Sequence, residues 1–175
     1  RILGTQMKST GEVMAIGRTV EEGLLKAIRS LEIEQEYLDP LDWSDDRIME
    51  ELTNATDQRI FAIAEALRRG MSVEAIADIT KWDTYFIHKI RNIIEMEKAL
   101  RSSDLDDVLL RRAKRMGFSD DVIARLTGST EEDVRRRRKA AGIVPTYKMV
   151  DTCAAEFSAE TPYFYSTYES DNDAS

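Results

Sequence analysis

The chain has 175 residues, of which 42% are hydrophobic and 33% charged, with three prolines, eight glycines and a formal net charge of −8. That composition fits one sizeable core or two small ones, and it excludes collagen, a disulfide-stapled mini-protein and a wholly disordered chain. No apolar run reaches the length a membrane-spanning helix needs, and the single cysteine, Cys153, cannot close an internal disulfide, which points to a reducing cytoplasm.

The opening Arg1-Ile2-Leu3-Gly4-Thr5 has no charged head followed by an apolar stretch. It reads as a cut through a longer protein rather than a signal peptide. Met7 to Arg18 is punctuated by Gly11 and Gly17, and Val13 and Ile16 suit a short extended piece. Thr19 has the character of an N-cap, with Glu21 and Glu22 in the first turn and Leu24, Leu25, Ile28 and Leu31 at helical spacing. One extended piece and one amphipathic helix cannot close a core, so residues 1–32 are expected to belong to a neighbouring domain.

Residues 33–146 carry almost only helical signals. Ser44 is placed to cap a helix with Ile48 and Leu52, and Asp57 another with Ile60, Ile63, Ala64 and Leu67, stopped by Gly70. Ser72 opens a short helix. Asp83 opens a long one through Phe86, Ile87, Ile90, Ile93, Ile94 and Met96 to about Arg101. A further helix spans about Asp106 to Met116, and Ser119 and Thr130 start two more. An internal echo runs through this stretch at an offset of 47 residues: Ala66 to Ser72 matches Ala113 to Ser119, followed by Ile76/Ile123, Ala77/Ala124, Ile79/Leu126, Thr80/Thr127 and Ile87/Val134. Each copy reads as a helix, a Gly stop, a capped short helix, a turn and another helix, the makings of a compact helical domain.

The second copy also has the outline of a helix-turn-helix, with Gly128 in the turn and the basic run Arg135-Arg136-Arg137-Arg138-Lys139 on the last helix. Two readings compete for that run: a solvated face balanced by Glu131, Glu132 and Asp133 in the preceding turn, or a phosphate-binding surface. From Asp151 onward there are six acids and no Lys or Arg, whereas residues 1–150 hold 27 acids against 25 bases. A nearly neutral body with an acidic tail is a poor match for nucleic acid or an anionic membrane. Residues 147–175 hold an aromatic segment, Tyr163-Phe164-Tyr165 and Tyr168 among them, with no clear helical or alternating period. It reads as an irregular strap laid over another surface, ending in a linker-like Ser170 to Ser175.

Chemistry-bearing motifs are sparse. There is no glycine-rich phosphate loop. His88, the only histidine, sits beside core positions of the long helix and reads as structural. Cys153 has no second thiol or spare imidazole to build a metal site or a Cys–His nucleophile, and reads as a packed small residue. The fold class expected is mainly α: a compact multi-helix domain with a short extended N-terminal segment and an irregular C-terminal strap.

Two segments resemble the large chain of carbamoyl-phosphate synthetase: Gln6 to Thr19, and Tyr147 to Phe157 continuing to Tyr165-Ser166-Thr167-Tyr168-Glu169. Arg59-Ile60, Leu67-Arg68-Arg69-Gly70 and Lys114-Arg115-Met116-Gly117-Phe118 between them are similar in pattern. The resemblance implies two ATP-grasp halves in the parent chain, one phosphorylating bicarbonate and the other carbamate, with a helical oligomerisation domain between them. On that basis residues 1–32 are the end of the first, carboxyphosphate half, residues 33–146 the oligomerisation domain, and residues 147–175 the strap toward the second half. The sequence stops near Ser175 where the family continues. The parent would be an ATP-dependent ligase making carbamoyl phosphate from bicarbonate and glutamine-derived ammonia for pyrimidine and arginine synthesis. ATP, Mg or Mn, and K would bind the parent outside this segment, which itself would be noncatalytic. Implied partners are a second copy, the flanking halves and a glutamine amidotransferase small chain, with no nucleic acid and no membrane. Met7 and Glu12 match family positions that line the tunnel carrying carbamate between the two active sites. A helix-turn-helix nucleic-acid binder is the rival reading.

Overall fold

A computed structural model describes residue 5 and residues 13–31, 36–150 and 163–169. The described residues form eight helices: α1 (Val20–Ser30), α2 (Asp45–Thr53), α3 (Arg59–Arg68), α4 (Val73–Thr80), α5 (Thr84–Ser102), α6 (Asp107–Met116), α7 (Asp120–Thr127) and α8 (Glu131–Ala140). Two strands follow, β1 (Thr146–Val150) and β2 (Tyr163–Thr167). The fold is mainly α, as the periodicity predicts. Contacts divide it into two units. The first draws on Arg1–Met14 and Ala27–Ala99, the second on Ala15–Lys26 and Leu100–Ser175, in each case through their described residues.

Most helix starts follow from their caps. The side chains of Ser44, Ser72, Asp106, Ser119 and Thr130 each accept a backbone N–H three residues on, satisfying a donor that has no partner inside the helix. Thr19 does the same for Glu22, and Asp83 accepts from Tyr85 N at 2.8 Å. Asp57 departs from expectation. The residue before α3 is Gln58, already in a helical conformation, and no side chain caps the start. Arg59 ties that end down instead, donating to the carbonyls of Thr53 and Asn54 at 2.9 Å, with a longer bond to Thr80 O. Its guanidinium closes the C-terminal carbonyls of α2 while starting α3.

In the first unit α3 is the central element. Seven successive residues, Phe61 to Leu67, are buried, and Ala62, Ala64 and Ala66 keep its girth small. Helix α2 packs on α3 and α4. Ile48, Leu52, Ile76, Ile87, Ile90, Ile93 and Ile94 complete the core. Each such side chain contributes roughly 1.5–3 kcal/mol by leaving water.

The second unit repeats the first at its corners. Gly70 and Gly117 both have positive φ, at 92° and 102°. After each, the next backbone N–H reaches back to the carbonyl five residues earlier: Met71 to Ala66 and Phe118 to Ala113, at 3.0 and 3.1 Å. This closes the helix end in the manner of a Schellman cap. Thr80 and Thr127 each return a hydroxyl to a carbonyl four residues back at 2.8 Å, and Ile76 and Ile123 are both fully buried. The 47-residue echo is therefore a repeat of structure. It breaks at one turn: the left-handed position after α7 is Gly128, and its counterpart after α4 is Lys81, with φ 60°.

Helices α7 and α6 both pack on α8. The stretch read as an irregular strap contains a two-stranded antiparallel sheet. Thr146 pairs with Thr167, Lys148 with Tyr165 and Val150 with Tyr163 on one face, and Tyr147 with Ser166 and Met149 with Phe164 on the other. The pairing was invisible to periodicity because each strand has only five residues and the sheet buries little more than Lys148 and Thr167.

Two glycines let the backbone close on α1. A Cβ on Gly17 would meet Gly23 N at 2.8 Å, and one on Gly117 would meet the Glu22 Cα at 3.0 Å. Replacing Gly117 by Ala therefore combines a left-handed backbone with a clash and should cost about 2 kcal/mol in chemical denaturation. Conversely, Lys81→Gly removes left-handed strain and should raise stability by about 1 kcal/mol. Its surface pairing with Asp78, at 3.6 Å, is worth little.

Candidate functional site

Met7, Glu12 and Cys153 lie outside the described residues. His88 is half-buried on α5. Among the described residues no group of His, Cys, Asp and Glu could hold a metal ion, and no helix is long and apolar enough to cross a membrane. What the structure does assemble is two charge clusters and two uncovered apolar faces.

The first cluster centres on Arg68 at the end of α3. Its Nη1 meets Glu65 Oε2 at 2.6 Å, its Nη2 meets Glu97 Oε2 at 2.8 Å, and Nη2 also donates to Leu38 O at 2.6 Å. Tyr37 donates its hydroxyl to Glu97 at 3.1 Å. Burial first, then the Glu97 charge, push the Tyr37 phenol well above its usual range. Arg69 extends the network to Glu65 and Asp45, each at 2.8 Å. Burial alone would raise the Glu65 carboxyl, but hydrogen bonds from Arg69, Leu41 N and Arg68 outweigh it and hold it below its ordinary value. The arrangement joins the loop at 37–41 to α3 and α5. A sequence reading has no means of pairing Tyr37 with Glu97, sixty residues away.

The second cluster joins α6, α7 and α8. Lys114 Nζ lies 2.8 Å from Asp120 Oδ1, and Arg138 Nε 2.9 Å from Asp120 Oδ2. Lys114 also donates to Phe118 O at 2.8 Å and Arg138 to Ile143 O at 3.3 Å. Burial opposes the Asp120 charge, and the two cations overcome it, lowering the carboxyl from its ordinary value.

This cluster bears directly on the basic run. Arg138 is only 9% exposed and is committed to Asp120. Arg137 Nη2 donates to Leu105 O at 2.6 Å, and Arg136 pairs with Asp133 within its own helix. Two of the five cations thus serve packing, and a surface able to read base edges is correspondingly poorer.

Each unit has one small uncovered face among its described residues. At the start of α5, Tyr85 and Phe86 are 52% and 50% exposed, in edge-to-face contact at 5.3 Å, with Lys89 Nζ 5.1 Å from the Tyr85 ring centre. The matching positions one repeat later are Glu132 and Asp133, the ordinary acidic first turn of a solvated helix. The other face belongs to the two-stranded sheet, where Tyr147, Met149 and Phe164 are each about half exposed. Single exposed apolar residues are common on any protein, whereas here two half-exposed rings stand side by side.

The charge clusters set the acid response. Glu65 and Asp120 both titrate below their ordinary values of 4.5 and 3.8. Each therefore adds stability that is fully present above its unfolded pKa and lost as pH falls through the lower folded value. Denaturant midpoints should be flat from pH 7 to about 5 and then fall. Asp120→Asn, which leaves Lys114 and Arg138 without their carboxylate, should cost about 3 kcal/mol at neutral pH and flatten part of the acid slope.

Residues 12–142, about three-quarters of the chain, match the family model described as carbamoyl-phosphate synthetase large chain, oligomerisation domain. The matched span contains all eight helices and ends before β1.

Proposed function

This chain belongs to the family of the oligomerisation domain of the carbamoyl-phosphate synthetase large chain, and we propose that it serves there as a noncatalytic helical connector that associates with a second copy of itself. The family match is the observation that carries this reading. That the match ends at residue 142 favours a self-associating surface on the helices over one on the two-stranded sheet. The Tyr85–Phe86 pair on α5 is the helical surface with the right chemistry: two uncovered rings where the other repeat keeps two acids.

The finer reading follows the resemblance. Residues 1–32 would close the first, carboxyphosphate-forming ATP-grasp half, residues 33–146 would be the oligomerisation domain, and residues 147–175 would lead to the second half. Met7 and Glu12 would line the carbamate tunnel. The dry wall such a path requires suits Met7, while a carboxylate at Glu12 would repel an anion or gate it through a change of protonation or position. ATP, Mg or Mn, and K would act in the flanking halves, on bicarbonate and on ammonia released from glutamine by a small chain, with carbamoyl phosphate feeding pyrimidine and arginine synthesis.

Introducing charge at the aromatic pair tests the proposal. In sedimentation velocity, Tyr85→Glu with Phe86→Glu should weaken self-association at least about tenfold, as loss of central aromatic contacts does elsewhere. The same change at Tyr147 and Phe164 should leave association unaltered. Association untouched by the α5 change would remove Tyr85 and Phe86 from the interface.

A further inference from the structure

The two repeats fill the same corner with opposite chemistry. Lys114 and Asp120 of the second repeat correspond to Leu67 and Val73 of the first, both buried, at 6% and 2% exposure. Arg138 corresponds to Arg91, which stays exposed and faces Glu95 at 3.5 Å. The first repeat demonstrates that an apolar pair completes this helix corner without any charge. Burying an ion pair instead brings no clear gain in stability, because desolvation offsets the attraction. The charges of the second repeat must therefore answer to something the first repeat lacks.

What the first repeat lacks is the segment that follows β2. The Tyr168 ring lies against the charged corner, with Lys114 Nζ 4.8 Å and the Arg138 guanidinium carbon 5.7 Å from its centre. Two cations and one carboxylate leave the corner net positive, the sign that the face of an aromatic ring attracts. The backbone beside the ring is held as well: Arg115 Nε donates to Tyr168 O at 3.3 Å, and Thr146 Oγ1 donates to Glu169 O at 3.2 Å. Upstream, Lys26 Nζ donates to Ser166 O at 2.6 Å and stands 5.5 Å from the Tyr165 ring.

We infer that Lys114, Asp120 and Arg138 form a charged socket for the Tyr168 ring, and that this socket is a latch fastening the β1–β2 sheet to the second helical repeat. The latch is separable from the helical core, since the first repeat folds the same corner with leucine and valine. A two-stranded sheet is marginal by itself in water, so its order depends on being fastened. Fastening also fixes the direction in which Tyr147, Met149 and Phe164 present their uncovered face. This holds whether or not the chain self-associates.

Hydrogen–deuterium exchange on this chain separates the latch from a merely structural ion pair. Lys114→Leu, Asp120→Val and Arg138→Met together give the second repeat an apolar corner like the first's and leave no buried cation without its carboxylate. Backbone amides of Tyr163–Thr167 should then exchange about tenfold faster or more, while those of α6, α7 and α8 keep their protection. Tyr168→Leu, which leaves the ion pairs intact, should accelerate the same strand, and Tyr168→Phe, which keeps the ring, should protect it as the native residue does. Unchanged strand protection in either the triple variant or Tyr168→Leu would overturn the inference. So would a triple variant in which α6 to α8 lose protection together with the strand, because the charges would then support the core itself.

Discussion

The architecture depends on one helix corner used twice. A helix stops on a glycine with positive φ, the chain turns through one residue, and a serine hydroxyl restarts it. The glycine is needed because a Cβ opposes the left-handed backbone, and the serine because the restarting turn leaves N–H groups unpaired. With both ends satisfied locally, the corner does not depend on long-range partners for its hydrogen bonds. It then aims two helices so that Ile76 or Ile123 falls into the core at the same place in each unit.

Given that shared frame, the units differ in where they put charge. The first keeps its corner apolar and concentrates buried charge around Arg68, which gathers Glu65, Glu97 and the Leu38 carbonyl. That network secures a loop with no regular structure, residues 37–41, to the ends of two helices. The second puts charge in the corner itself and secures the sheet that follows α8. In both units the buried ionic groups that bridge helices also reach the irregular or marginal segment beside them. Directional bonds suit that task, because such a segment has too little apolar surface to be fixed by burial alone.

Local signals account for what the sequence disclosed. Caps at Thr19, Ser44, Ser72, Asp83, Asp106, Ser119 and Thr130, the stops at Gly70 and Gly117, and the 47-residue echo are all short-range features, and each has its counterpart in the fold. Asp57 misled because a cap residue needs the extended conformation, and the helical Gln58 stands at the cap position instead. The sheet escaped because cross-strand pairing between residues 13 to 21 positions apart leaves no period in five-residue strands. The basic run was legible as charge but not as packing. That Arg138 turns inward to Asp120 while Arg135 stays outside depends on the angle between α7 and α8, which no spacing rule fixes. The family resemblance drew on the end motifs and the helical pattern between them. The helical span is the part that the family match covers, whereas the tunnel residues Met7 and Glu12 fall outside the described structure.

On the proposed function, these helices form a self-associating scaffold. Light scattering on the unaltered chain over a hundredfold dilution tests it most directly. Mass action requires the weight-average mass to rise with concentration from the monomer toward a closed multiple of it. A mass that stays at the monomer value throughout, with the helices folded, would contradict the claim.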